Sequence, residues 1–196
     1  MKNIYLIGDS IRFGSVGGAG SPGYGVYVKE QLAGIANVYA PNENCQFAQY
    51  TLRFLHTWIN DVPTDDVDIV HWNNGLWDVL RLFGDDPLTD IETYGGMLKR
   101  VCKRIQYLFP KAKIIFASST SVIEEWAPPG FIRYNHEIEA YNHKAEEVMN
   151  ELGVEVNDLY CITKSFDKTY YTDWVHFNEK GAKFLANHIV ERLNVL

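Results

Sequence analysis

The chain has 196 residues, enough for one domain around one substantial core. It is 46% hydrophobic and 14% aromatic, which excludes a disordered chain. Its 18 Lys and Arg against 25 Asp and Glu leave a formal charge of -7 with no basic block, which argues against nucleic acid or a membrane as partner and for a small neutral or cationic ligand.

Residues 3–8, NIYLIG, form a short apolar run of β-formers and read as the first core strand. The run is too short for a secretory leader, and GDS is not a small-residue cleavage site, so a cytoplasmic protein is expected. No apolar stretch reaches the length of a membrane span. The Gly-rich segment GSVGGAGSPGYG (14–25) lacks the Lys-Ser/Thr ending of a P-loop and the G-x-G-x-x-G spacing, so a lid or loop is expected there. A helix-like stretch follows from about 25 to 33, then a strand at ANVYA (36–40) that ends at Pro41. AQYTLRFLHTWI (48–59) places Leu52, Leu55 and Ile59 on one helical face. DIVHW (68–72) is a third strand running into NNGLWD. In 94–109, Leu98, Val101, Ile105 and Leu108 recur at spacings of three and four, and Pro110 stops the helix. AKIIFASS (112–119) is the most strand-like stretch of the chain. After the loop around Pro128-Pro129-Gly130, residues 134–152 read as a long helix ending at Gly153. Residues 154–162 contain the last strand, and 178–193 close the chain as a helix with Asn178 as N-cap.

This alternation of strand and helix predicts an α/β fold, a single-domain three-layer α/β/α sandwich around a mostly five-stranded parallel sheet. Ligands of such sheets bind beyond the carboxyl ends of the strands. Ser10, Asn73, Asn74 and the segment after Ile162 all fall there.

Ser10 follows the first strand in Gly8-Asp9-Ser10. A serine hydroxyl becomes a nucleophile when a base takes its proton, and the base is usually a His fixed by a carboxylate. DWVH supplies Asp173 and His176, three apart in a loop before the last helix, a spacing at which the carboxylate reaches Nδ1 and leaves Nε2 for Ser10. The bland alternatives are a turn or N-cap serine and a solvated loop. Asp68 and His71 share the D-x-x-H pattern but lie in a strand, roughly 10 Å apart on opposite faces, and cannot pair. Ser21 sits in a near match to G-x-S-x-G, but no strand precedes it.

Asn73 and Asn74 in HWNNGLWD are candidate side-chain donors to a developing oxyanion, and Gly75 permits a sharp exit; an ordinary Asn-Gly turn is the alternative. His56, His71, His136, His143 and His188 make no metal-ligand spacing, so no metal or cofactor is expected. Cys45, Cys102 and Cys161 contain no C-x-x-C and read as buried free thiols of a reducing compartment. Trp58, Trp72, Trp77, Trp126 and Trp174 read as core or rim, with Trp77, Trp126 and Trp174 in loops near the carboxyl-end site.

The order of GDS after the first strand, Asn after a middle strand and D-x-x-H before the last helix resembles the SGNH/GDSL hydrolase superfamily of esterases and lipases, across essentially the whole chain. The resemblance implies a flavodoxin-like fold, with Ser10 as nucleophile and backbone oxyanion donor, His176 as base and Asp173 as its orienting carboxylate. The family's G-x-N-D block aligns in two registers: on WNNGL it makes Asn73 the donor, with Asn74 in the Asp position, and on GLWD it puts Trp77 where Asn belongs. Asn73 is preferred because an amide suits that role. The second block lacks its glycine, so a backbone N–H from Cys45 or Gln46 would substitute. Asp9, Trp77 and Trp174 would face substrate. The implied reaction is hydrolysis of a small acyl ester, with O-acetylated sugars as a substrate class. An acyltransferase on the same scaffold and a non-catalytic flavodoxin-like binding protein are the rivals.

Overall fold

The computed structural model describes residues 1–14 and 20–195. In chain order its elements are β1 (Lys2–Ile7), α1 (Ser10–Phe13), α2 (Tyr24–Gln31), β2 (Ala36–Tyr39), α3 (Ala48–Phe54), β3 (Ile69–Asn73), β4 (Arg81–Leu82), α4 (Ile91–Leu108), β5 (Lys113–Ala117), β6 (Phe131–Ile132), α5 (Asn135–Leu152), β7 (Glu155–Asn157), α6 (Leu159–Thr163) and α7 (Glu179–Leu193). Five strands form one sheet in the order β2-β1-β3-β5-β7, every neighbouring pair parallel. Such strands are covered on both faces, so they read as continuous apolar runs rather than alternating ones. Ile4, Tyr5, Leu6 and Ile7 of β1 are all fully buried, as are Ile115, Phe116 and Ala117 of β5. The chain leaves β1 outward to β2 and then crosses back to β3. The switch point therefore lies between β1 and β3, where a crevice opens beyond the strand ends.

Two helical layers cover the sheet: α2 packs on α7, and α4 packs between α3 and α5. The α4 stripe of Tyr94, Leu98, Val101, Cys102 and Ile105 is buried, and Asp90 caps the helix by accepting from Thr93 N at 3.0 Å. Asn178 caps α7 by accepting from Gly181 N at 3.2 Å. Gly153 closes α5 in the left-handed conformation at φ 67°, which glycine adopts without steric cost.

Local features both depart from and refine the sequence expectations. The helix expected over 48–59 ends at Phe54, because the Thr57 hydroxyl captures the Phe54 carbonyl at 2.7 Å and the chain continues in turns. The last strand falls at 155–157, inside the expected 154–162, and Asp158 then caps α6 by accepting from Cys161 N at 3.0 Å. The short antiparallel pair β4–β6 was not expected, since two-residue strands carry no periodic signal. All three thiols are free; Cys45 and Cys102 are buried, but Cys161 is exposed on the short helix α6. Among the described residues, no helix is long and apolar enough to cross a membrane, and no cluster of His, Cys, Asp and Glu is arranged to hold a metal.

Candidate active site

The end of β1 delivers Ser10 as the first residue of α1. Asp9 makes this possible: its Oδ1 accepts from Ile11 N at 2.9 Å, and its carbonyl accepts from Arg12 N and Phe13 N. A four-residue helix is too short to stand alone. Arg12 holds it in place with a guanidinium that donates to Pro41 O at 2.9 Å, Glu43 O at 2.6 Å and Gly8 O at 3.3 Å. This ties α1 to the segment after β2. Gly23 packs directly on the same turn: a Cβ there would lie 2.1 Å from Arg12 O, so only glycine fits.

The His176 ring reaches Ser10 across the crevice, with Nε2 2.9 Å from Oγ. Its Nδ1 lies 2.7 Å from Asp173 Oδ2. The other carboxylate oxygen of Asp173 accepts from Val175 N at 2.8 Å and His176 N at 2.7 Å, so one side chain both closes the turn and orients the ring. Burial pushes the Asp173 carboxyl up, but the hydrogen bonds from the His176 ring and from the His176 and Val175 N–H groups outweigh it, and the carboxyl titrates below its ordinary range. A carboxylate on Nδ1 leaves Nε2 free to accept the serine proton. Ser10, His176 and Asp173 are thus brought together in one hydrogen-bonded chain.

The D-x-x-H pair at 68 and 71 is not brought together. Asp68 lies just before β3 and binds Asn3 N at 2.8 Å and Lys2 Nζ at 2.9 Å. His71 is fully buried beside Asn157, whose Oδ1 lies 2.8 Å from His188 Nε2. Burial pushes the His71 imidazole down to about 4. Ser21 is buried and bonds the Phe177 carbonyl, and Gly14 bridges Pro22. Residues 15–19 of the expected lid lie outside the described residues.

The expected oxyanion donors are corrected by their surroundings. The Asn73 amide is spent on the carbonyls of Ala117 at 3.0 Å and Ser118 at 3.4 Å. The Asn74 amide donates to Gln46 O and Thr51 Oγ1, both at 2.9 Å, while its oxygen accepts from Trp72 Nε1. Cys45 N donates to Gly8 O at 3.2 Å, and Gln46 N to Asn44 Oδ1 at 2.9 Å. Each of these groups serves the scaffold. The Ser10 N–H, the Phe47 N–H and the half-buried Trp77 indole N–H make no hydrogen bond to a described residue. Asp9 is fully buried as the α1 cap and does not face substrate. Trp174 is half-buried, with its ring 5.0 Å from the Arg133 guanidinium carbon.

The register that aligns GLWD accounts for more of the structure. Gly75 has φ +144°, and a Cβ there would lie 2.3 Å from Ser119 Oγ. Asp78 is fully buried and accepts from Ala48 N through both oxygens at 3.2 Å, which clamps the start of α3; burial pushes its carboxyl up to about 7. Arg12, Phe47 and Arg133 were missed by sequence reasoning. Arg12 was legible in principle, since an Arg one turn after a helix start beside a buried strand end needs carbonyl partners. A free peptide N–H at Phe47 has no residue-type signal.

A family model described as GDSL-like Lipase/Acylhydrolase matches residues 6–184. The chain belongs to this GDSL-like family. A curated relative, the GDSL esterase/lipase CPRD49 of Arabidopsis thaliana, is 32% identical over 114 residues, which cover 53% of this chain and 43% of that protein. The match thus spans less than half the length of that relative. Among solved structures, a lipase/acylhydrolase from Enterococcus faecalis aligns with a TM-score of 0.77 at 22% identity, covering 98% of this chain and 95% of that one. An acetyl xylan esterase, AlAXEase, aligns at 0.72 and 15% identity, covering 97% and 99%. At these identities the structures establish the shared α/β fold.

Proposed function

We propose that this family member is a serine hydrolase of short acyl esters, with O-acetyl groups on carbohydrate as its substrate class. The observation that carries the reading is the hydrogen-bonded chain from Ser10 Oγ to His176 at 2.9 Å and from His176 to Asp173 at 2.7 Å. His176 Nε2 takes the proton from Ser10 Oγ as that oxygen attacks the ester carbonyl. The tetrahedral oxyanion forms beside the N–H groups of Ser10 and Phe47 and the indole N–H of Trp77, the donors that the scaffold leaves unspent. His176 then protonates the departing alcohol. Water attacks the acyl-enzyme with His176 again as base, and Ser10 regains its proton. Asp173 holds the proton-bearing Nδ1 and stabilises the imidazolium. The acetyl group is supported by the fold shared with an acetyl xylan esterase.

The test is labelling with a fluorophosphonate, followed by mass mapping of the adduct, alongside turnover of p-nitrophenyl acetate. An adduct on Ser10 that is lost in Ser10→Ala, together with a fall in kcat of several orders of magnitude, is expected. Full activity in Ser10→Ala overturns the reading. Transfer of the acetyl group to an added alcohol in preference to water would make the protein an acyltransferase.

A further inference from the structure

We propose that Arg133 binds a carboxylate of the substrate, so that esters of acidic alcohols, O-acylated acidic sugars among them, are the preferred substrates; this rests on the hydrolase reading above. Arg133 follows β6 and is only 5% exposed. Its Nε donates to the Leu76 carbonyl, next to Trp77, and its guanidinium carbon lies 5.0 Å from the ring centroid of Trp174, next to Asp173. One side chain therefore joins the segment that carries the unspent indole N–H to the segment that carries the base. Its two terminal nitrogens hydrogen-bond no described residue, and they are not sealed from solvent.

Arg12 provides the internal comparison. It is equally buried, at 4% exposed, and each of its terminal nitrogens donates to backbone carbonyls, three in all, while its Nε is the group left without a partner. A buried arginine that serves only the scaffold is expected to look like that, because an unpaired buried charge is costly. Arg133 instead keeps a fork of donors open, with the Trp174 ring 5.0 Å away. Asp9 and Asp173 are the acidic groups whose charge it feels, but neither forms an ion pair with it. Asp9 Oδ2 is sealed in the interior with no hydrogen-bond partner, so it does not discharge the fork. A planar guanidinium with two parallel N–H donors matches a carboxylate bidentately, a geometry that neither a hydroxyl nor an amine offers. The negative charge of the chain and the two nearby carboxylates rule out long-range attraction of an anion. Selection must come from direct contact with the fork.

The experiment compares kcat/KM on an O-acetylated methyl glucuronoside and on the matching O-acetylated methyl glucoside, for the wild type, Arg133→Gln and Arg133→Lys. The wild type is expected to favour the acidic substrate by roughly 10–100-fold, the worth of a charge-assisted hydrogen-bond pair. The ratio should collapse toward one in Arg133→Gln and fall partway in Arg133→Lys, which keeps charge but loses the fork. A loss of the Leu76 contact lowers both substrates together and leaves the ratio untouched, so a merely structural role is separated. Should Arg133→Gln fail to fold, Arg133→Lys carries the comparison, since it keeps the charge and a partial fall in the ratio is still expected. A wild-type ratio near one, or a preference that survives Arg133→Gln, overturns the proposal. Failure to label Ser10 or to cleave p-nitrophenyl acetate would instead strike the hydrolase reading.

Discussion

Replacing Asp173 by asparagine isolates the proton logic of the site from its architecture. One carboxylate oxygen accepts two backbone N–H groups at 2.8 and 2.7 Å, and the other faces His176 Nδ1 at 2.7 Å. In Asp173→Asn, the amide oxygen must stay on the two N–H groups. The flipped amide would set donors against donors and lose two hydrogen bonds, each worth about 1 kcal/mol or more. The amide NH₂ therefore points at Nδ1, which must then accept. The imidazole proton moves to Nε2 and faces Ser10, so the ring cannot act as base. Such a tautomer reversal costs about 10⁴ in kcat, or about 5.5 kcal/mol of activation free energy. The turn keeps its bonds, so the melting temperature should move little. Asp173→Ala should lose both activity and, with two hydrogen bonds gone, about 2 kcal/mol of stability. The assay is steady-state turnover of p-nitrophenyl acetate beside thermal melts of the three proteins. An Asp173→Asn protein with an unchanged melt and a kcat within tenfold of wild type would refute the reasoning.

Two further outcomes follow from the same geometry. Trp77→Phe removes one N–H and keeps the ring, and should lower kcat about 10²–10³-fold if the indole holds the oxyanion. Asn73→Ala should cost stability, because its amide binds two carbonyls, with kcat changed only a few-fold; the reverse pattern in initial-rate and melting measurements would return the role to Asn73. His71 links stability to pH. Burial lowers its folded-state value to about 4 from 6.5, so its contribution is complete above pH 6.5 and is lost as pH falls through 4. That lowering corresponds to ~3 kcal/mol. Urea denaturation at pH 7 and pH 4 should show the wild type losing about that much more stability than His71→Gln; identical pH dependence in the two proteins would contradict it.

Much of the fold was legible because it rests on periodic burial and capping. The α4 stripe and the Asn178 cap are written in residue types that have few other uses at those spacings. The short pieces were hidden, since β4, β6 and α6 are held by contacts with distant segments. Ser10, Asp173 and His176 stood out because a strand end and a loop motif point to the carboxyl edge of a parallel sheet. The donors around them did not. Asn73 ends β3 and Trp77 lies just beyond it, and only the carbonyls of Ala117 and Ser118 show that the Asn73 amide is already taken. Arg133 lies 57 positions from the carbonyl it binds, so no local pattern could have named it.

The Asp173 side chain closes the very turn that carries the ring it orients. Asp173 and His176 are therefore held together by one turn, and Ser10 sits apart from them on its Arg12-braced helix. The two meet where Ser10 Oγ lies 2.9 Å from His176 Nε2, and among the described residues Ser21 adds a tie by binding the Phe177 carbonyl beside that ring. A change that shifts the turn moves Asp173 and His176 together, so it alters the reach to Ser10 while the 2.7 Å contact between carboxylate and ring is kept.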